Sequence, residues 1–427
     1  MPSIRIKIES ELTAEYLWVF HIFADYIGFD FELVETGEDI LIAEHGMGDI
    51  QVSHFFRNTY QSGNFEFKSF FRKEPLHFNA NGKPDYLSTS FYLLSYLQEY
   101  IDYVPDQYDR FPYKISLQKH FNCVEENLVA GYFDALYENL PKLKTQVEKK
   151  IHKTKFFLSH DIDSVYGALG DNGKYFLKHG RIGDLLQLIF NHYFRTPDYL
   201  LLDRIMDIED ANDVKSTFFW LVKQGRGNRR INNSDYAIDA PEIRSIRNKI
   251  QQRGFINGLH KAVSSLSYDE ELKRLGENAL PVNRNHYLRL MLPETFNEIE
   301  GSAIKLDASM GFAEAIGFRN NYGLPYRPFN LKEKRAYNFV EVPLTIMDST
   351  LKFYLNKSSA QANEAIFSFL EKHTTNAITS ILWHNNYFFD YIDKGWLNCY
   401  KEILNYIREN NFEVVGPEQL KITTDNY

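Results

Sequence analysis

From residue 155 onward, short apolar runs that stop abruptly at polar residues alternate with longer amphipathic stretches. This alternation constrains the fold more than any other feature. A run that is apolar at every position needs cover on both faces, and a parallel sheet whose crossovers are helices provides it. The strand candidates are Lys155–His160, Ser216–Val222, Gly254–His260, Ala279–His286, Ile304–Ser309, Phe339–Met347, Ala377–His384 and Phe412–Val415. Between several of them lie stretches with helical spacing, among them Pro241–Arg253, Tyr268–Asn278, Pro293–Gly301 and Ala360–His373. An open doubly wound sheet and a closed barrel both fit. The residues that end the runs are Asp161, Asp163, His260, His286, Asp307, Asp348 and His384. Polar groups gathered at strand ends are what a barrel with its site at the C-terminal face requires.

Residues 1 to about 150 have a different texture. Ile4–Ile8 alternates like a half-buried strand, Leu12–Ile27 has helical spacing, Asp39–Glu44 reads as a short strand and Tyr86–Tyr103 as a helix. His45, His54 and His77 are scattered and form no catalytic pattern. The basic stretch Pro141–Lys155 reads as a helix end and linker. The expected division is an N-terminal α/β accessory domain over 1–150 and a (β/α) barrel over 151–427.

Composition sets limits. With 427 residues and a net charge of −9, the chain has room for two domains and lacks the clustered bases of a general nucleic-acid binder. Its two cysteines, Cys123 and Cys399, are too few for a disulfide framework or a cysteine metal site. There is no signal-peptide pattern at the N-terminus and no membrane-spanning apolar window, so a cytoplasmic location is expected. No GxGxxG or Walker-type loop follows a strand, and no Gly-x-Ser-x-Gly elbow supports a serine esterase. Oligomeric state is not legible.

The run Phe156-Phe-Leu-Ser-His-Asp-Ile-Asp-Ser164 ends in two carboxylates. Residues two apart on an extended chain face one side, so Asp161 and Asp163 enter one pocket, where one can hold a cation and the other accept a proton. A solvated turn with capping aspartates is the competing reading. His260 ends a strand and suits a zinc site with a carboxylate, whereas Ser264, four residues on, offers only a neutral oxygen. His384 follows Leu382 and Trp383, an apolar wall for a proton-exchanging imidazole. Arg319, between Gly317 and Gly323, is expected to hold a buried carboxylate ionised. A catalytic zinc usually has three protein ligands. His286 is therefore placed ahead of Ser264 as the third, with Arg284 and Tyr287 orienting it or contacting substrate.

Taken in order, the chain offers His-Asp-Ile-Asp, Ser-Thr-Phe-Phe-Trp, Gly-Leu-His, Leu-Asp-Ala-Ser-Met-Gly-Phe, Phe-Arg-Asn-Asn-Tyr-Gly, Met-Asp and Leu-Trp-His-Asn. Over roughly residues 155–420 this series resembles the polysaccharide deacetylases, carbohydrate esterase family four. It is most similar to the divergent bacterial branch that carries a separate N-terminal α/β domain. The resemblance implies a deformed (β/α) barrel of about seven strands, one divalent metal, taken as Zn²⁺, and removal of N-acetyl groups from a sugar or surface-glycan precursor. It further implies Asp161 as general base, Asp163 and His260 as metal ligands, Arg319 as the residue orienting the base, and the Tyr322 amide as an oxyanion donor. Asp348 would tune His384, the general acid, and Leu382 would wall the pocket. Two departures stand out: Ser264 replaces the second metal histidine, and Asn320-Asn321 replaces a proline-rich part of the arginine motif. The alternative function is a catalytically silent glycan-binding or scaffold protein on the same barrel.

Overall fold

The structure, a computed structural model, describes residues 3–101, 104–227, 230–389 and 394–420. Near the N-terminus, β1 (Ile4–Glu9), β2 (Phe31–Leu33), β3 (Ile40–Ala43) and β4 (Ile50–Gln51) form a parallel sheet in the order β2-β1-β3-β4. The helix Thr13–Ile27 buries Tyr16, Val19, Phe20, Phe23 and Ile27, an i, i+3, i+4, i+7, i+11 stripe, and ends at Gly28 in the left-handed conformation. The helix expected over Tyr86–Tyr103 is shorter, Tyr86–Leu94, and a 3-10 turn Leu97–Tyr100 follows it; residues 102–103 lie outside the described residues.

The second sheet begins with β5 (Lys155–Ile162), buried at every position from Phe156 on. Parallel neighbours follow in sequence: β6 (Thr217–Leu221), β7 (Ile256–Lys261), β8 (Ala279–Asn285) and β9 (Leu306–Asp307). Crossover helices cover their outer side. Pro241–Gln252 has proline in its first turn and buries Ile243, Ile246, Arg247 and Ile250, while Tyr268–Leu275 opens with a capping box between Ser267 and Glu270. Between β5 and β6 the chain forms three helices, Ala168–Lys178, Ile182–Phe194 and Asp203–Asp210. After β9 comes a hairpin, β10 (Phe329–Asn330) and β11 (Arg335–Ala336), with the Phe329 ring 5.1 Å from that of Trp18.

The segment expected as one strand, Phe339–Met347, stays extended but changes partner midway. β12 (Val340–Glu341) pairs with β9, whereas β13 (Ile346–Met347) pairs with β14 (Ile378–Leu382). The switch is continuous: Leu344 N–H donates to Met310 O (3.0 Å), and Thr345 N–H to Ser380 O (3.2 Å). Gly311 permits it, because a Cβ there would lie 2.8 Å from the Leu344 carbonyl oxygen. With β14 paired to β5, and β15 (Glu413–Val414) filling in beside β5, the sheet curls into a deformed barrel. Its staves are β5, β6, β7, β8, β9, the split β12/β13 segment and β14, seven in all.

Inside and outside follow the period-2 alternation. Phe157 packs with Phe219, Val282, Leu306 and Val340 inside, while Phe156 and Leu158 join the core shared with the helices. His160 likewise faces outward, its Nε2 2.9 Å from Glu209. The N-terminal part is joined to the barrel through residues 318–327. Phe318 N–H donates to Val124 O (2.7 Å), Val129 N–H to Asn321 O (3.0 Å), and Trp18 Nε1–H to Arg327 O (3.0 Å). No helix among the described residues is long and apolar enough to cross a membrane.

Candidate metal centre and active site

Asp163 lies one residue past β5 and is the hub of the site. Its Oδ1 is 3.3 Å from His260 Nε2 and 3.6 Å from His286 Nε2, and its Oδ2 is 3.6 Å from His384 Nε2. Each ring is anchored through its other nitrogen. His260 Nδ1–H donates to Arg284 O (2.9 Å) and His384 Nδ1–H to Asp348 (2.7 Å). His286 Nδ1–H points at Asn233 Oδ1 (3.4 Å). That oxygen's identity is set by the flanking bonds, since Asn233 Oδ1 accepts from Val263 N–H while its Nδ2 donates to Val263 O. Three imidazoles therefore turn their Nε2 atoms toward one carboxylate.

The ligand atoms of Asp163, His260 and His286 lie within 4.8 Å of one another. Asp163 Oδ1 is buried without an aligned hydrogen-bond partner. One carboxylate oxygen and two imidazole nitrogens, each imidazole fixed by an outer hydrogen bond, form a donor set suited to a zinc-like divalent ion. The residues present fit such a group. Burial disfavours charge on Asp163, but His286, His260 and His384 hold its carboxyl well below the usual range. His260 is raised against its burial by Asp161 and then Asp163. Burial lowers His286 to about 4. For His384, burial is outweighed by Asp348, then Asp163 and Asp161, and its pKa rises to about 10.

A second three-residue group, Glu44, His45 and His54, sits on the N-terminal part. There the guanidinium of Arg57 already lies 3.0 Å from Glu44 and bonds His54, so a cation is in place.

Asp161 sits inside the barrel mouth, 2% exposed, with its Oδ2 3.6 Å from His260 Nε2. The cation on it is Arg284, whose Nη1 is 3.0 Å from Asp161 Oδ1 and also bonds Ser159 Oγ. Arg284 is fully buried and lies over the Phe219 ring at 4.6 Å. The room for that ring comes from Gly258, where a Cβ would meet both Phe219 and Val282 below 3.0 Å.

Above these groups is a cavity of about 320 Å³ walled by Tyr108, Arg110, Tyr287, Phe353, Tyr354 and Leu382. Tyr108 and Tyr287 stack at 4.5 Å, 9° from parallel. Arg110 bonds Asp106 (2.7 Å), the Tyr287 carbonyl (3.2 Å) and the Tyr354 hydroxyl (3.1 Å). A larger groove of about 610 Å³ adjoins across His286, but among the described residues it is the smaller cavity that Asp163, His260 and His286 line together.

The structure brings together Asp161, Asp163, His260, His286, His384, Asp348, Leu382 and Tyr287. It separates five other expectations from the roles assigned to them. Arg319 does not serve the base: its guanidinium pairs with Glu99 at 2.8 and 2.5 Å and bonds Gly311 O, joining the N-terminal part to the barrel. Arg284, expected at the substrate, holds Asp161 instead, because a strand residue points into the barrel while Arg319 lies in the connecting segment. The Tyr322 amide is taken by Asn320 Oδ1 (3.2 Å), and its ring is buried against Phe133 and Tyr326. Ser264 donates to Glu271 (2.6 Å) and lines the adjoining groove. Trp383 alternates away from the cavity and packs on Trp396 and Tyr400. Tyr108, Arg110, Tyr354 and Asn233 went unrecognised in the sequence. Only the tyrosine and arginine content of Tyr108-Asp-Arg110 hinted at a polar wall.

Fold and site define an α/β barrel with a candidate carboxylate–histidine metal centre. Among known proteins, residues 5–145 match a family described as of unknown function (DUF7033). No curated protein matches the chain. Among solved structures, one assigned as a polysaccharide deacetylase from Mycobacterium smegmatis is 13% identical, covering 62% of this chain and 88% of that one, with a TM-score of 0.39. A CE4 family pseudoenzyme from Bacillus anthracis is 12% identical over 63% and 65% of the two chains, TM-score 0.27. A family 4 carbohydrate esterase from the same organism is 14% identical over 63% and 82%, TM-score 0.25. These likenesses are distant, and the functional reading rests on the site itself.

Proposed function

We propose that this protein is a metal-dependent hydrolase that removes N-acetyl groups from a sugar or surface-glycan precursor. The observation that carries the reading is the convergence of three anchored imidazole Nε2 atoms on Asp163, beside a second carboxylate held by a buried arginine. When bound, a divalent ion such as Zn²⁺ held by Asp163, His260 and His286 supplies a Lewis acid for the acetyl carbonyl and the attacking water. Asp161, held and oriented by Arg284, accepts the proton of that water. His384, fixed by Asp348 so that Nε2 faces the cavity, delivers a proton to the leaving amine. The wall of Tyr108, Tyr287 and Tyr354 suits the apolar face of a sugar ring.

Ser264 as a failed ligand was the ground for a catalytically silent protein, and His286 in its place supports the catalytic reading. Metal analysis of chelator-free protein, followed by acetate release from N-acetylglucosamine oligomers and nucleotide-linked sugars, tests it. Bound metal with acetate release is expected. Protein that neither binds metal nor releases acetate with added Zn²⁺ or Co²⁺ would instead be a silent glycan-binding or scaffold protein.

A further inference from the structure

The helix pair Ala168–Lys178 and Ile182–Phe194, inserted directly after β5, carries an apolar face that none of the described residues covers. In the second helix, Leu188 is buried and Leu185 packs on the core, as an ordinary amphipathic helix requires. Its opposite side is also apolar. Ile182, Leu186, Phe190, Tyr193 and Phe194 recur at i, i+4, i+8, i+11 and i+12, each between 45% and 75% exposed. Leu177, at 64%, comes from the first helix. A solvent-facing stripe of this length is unusual for a face that stays in water.

The charges around the stripe distinguish among occupants. From residue 168 to 195 the sequence has four bases, Lys174, Lys178, Arg181 and Arg195, against two acids, Asp171 and Asp184, in a chain of net charge −9. Asp184 is paired with Arg181 at 2.6 Å. Arg195 lies over the exposed Phe190 ring at 5.4 Å, so its guanidinium sits at the rim of the apolar surface, and Arg181 directly precedes Ile182, the first residue of the stripe. A second copy of the chain on this face would bring bases against bases. An anionic lipid surface satisfies both features at once, taking the aliphatic and aromatic side chains among its acyl chains and the bases among its headgroups.

Position agrees. The first helix begins five residues after Asp163, at the carboxyl end of β5. At the carboxyl end of β13, Phe353 and Leu355 are exposed beside Lys352 and Lys357, and Phe353 also walls the cavity. We infer that this helix pair docks the protein on an anionic membrane surface, with the barrel face that carries the site turned toward the lipid.

The test is co-sedimentation of the full chain with vesicles of phosphatidylcholine alone or with a third of phosphatidylglycerol. Strong binding to the anionic vesicles, weak binding to neutral ones and loss of affinity with added salt are expected. The exposed-face variant Leu186→Ser/Phe190→Ser/Phe194→Ser should lose more than about tenfold in partitioning with unchanged circular dichroism. In Lys174→Gln/Lys178→Gln, anionic-vesicle binding should fall about fivefold for each base removed. Wild-type protein that ignores both vesicles overturns the inference, whether it runs as a monomer or as a dimer that the triple variant disperses. So does vesicle binding that the triple variant leaves intact.

Discussion

Replacing His286 with alanine is the sharpest test of the metal centre, because two residues compete for the third ligand position and the structure separates them. His286 presents Nε2 3.6 Å from Asp163 Oδ1, with Nδ1 directed to Asn233, whereas the Ser264 hydroxyl is spent on Glu271. Loss of an outer partner of a metal ligand typically costs ~10–100-fold in affinity. Loss of the ligand should exceed that, so His286→Ala should weaken metal binding by more than about 100-fold, or about 2.8 kcal/mol. The same scale can be read from stability. At free metal near 100 times the dissociation constant, binding adds about 2.7 kcal/mol to the folded state. The variant should forfeit nearly all of this under the same conditions. Asn233→Ala should fall inside the ~10–100-fold range, and Ser264→Ala should bind as wild type does. Chelator competition and metal-dependent thermal shifts measure all three. If Ser264→Ala loses the metal and His286→Ala keeps it, the ligand assignment is wrong.

Asp161→Asn and His384→Ala should each lower turnover by ~10²–10⁴-fold while metal content stays near normal; metal loss in Asp161→Asn with retention in Asp163→Ala would reverse the two carboxylate roles. Glu99→Gln removes the carboxylate that the buried Arg319 guanidinium grips with two nitrogens and should cost roughly 3–5 kcal/mol in urea unfolding, with Arg319→Met on the same background recovering part of the loss. Burial, and then Asp307, raise Glu341 well above its ordinary 4.5, so the folded state keeps a proton that the unfolded chain releases. That contribution to stability is full below pH 4.5 and is lost as pH rises through the folded-state pKa. Relative to Glu341→Gln, which does not titrate, the wild type should lose up to ~1.4 kcal/mol per pH unit in that window, and parallel pH–stability curves would contradict it. Trp383→Phe should lower stability and leave substrate affinity unchanged, since the ring packs on Trp396 and Tyr400 away from the cavity.

Local pattern alone located the parallel strands and the residues at their ends. A fully covered strand must be apolar along its length, and the first polar residue marks where it leaves the core. The same period-2 geometry placed Asp161 inside the barrel, with Asp163 facing the same pocket, and turned His160 outward. Questions of partnership across strands were decided only by the tertiary structure. The register of β7 against β8 slips between Asn257 and Leu259 and sets His260 opposite Arg284, bringing the guanidinium to Asp161 and His286 out beside Asp163. No spacing within either strand encodes that slip. Arg319 and Arg284 each look like the natural partner of a buried carboxylate. What separates them is that Glu99, some 220 residues away in the chain, lies under Arg319. Tyr108 and Arg110 reach the cavity for the same reason: a site wall is built by whatever the fold packs against the barrel mouth, and packing between distant segments leaves no period in the sequence.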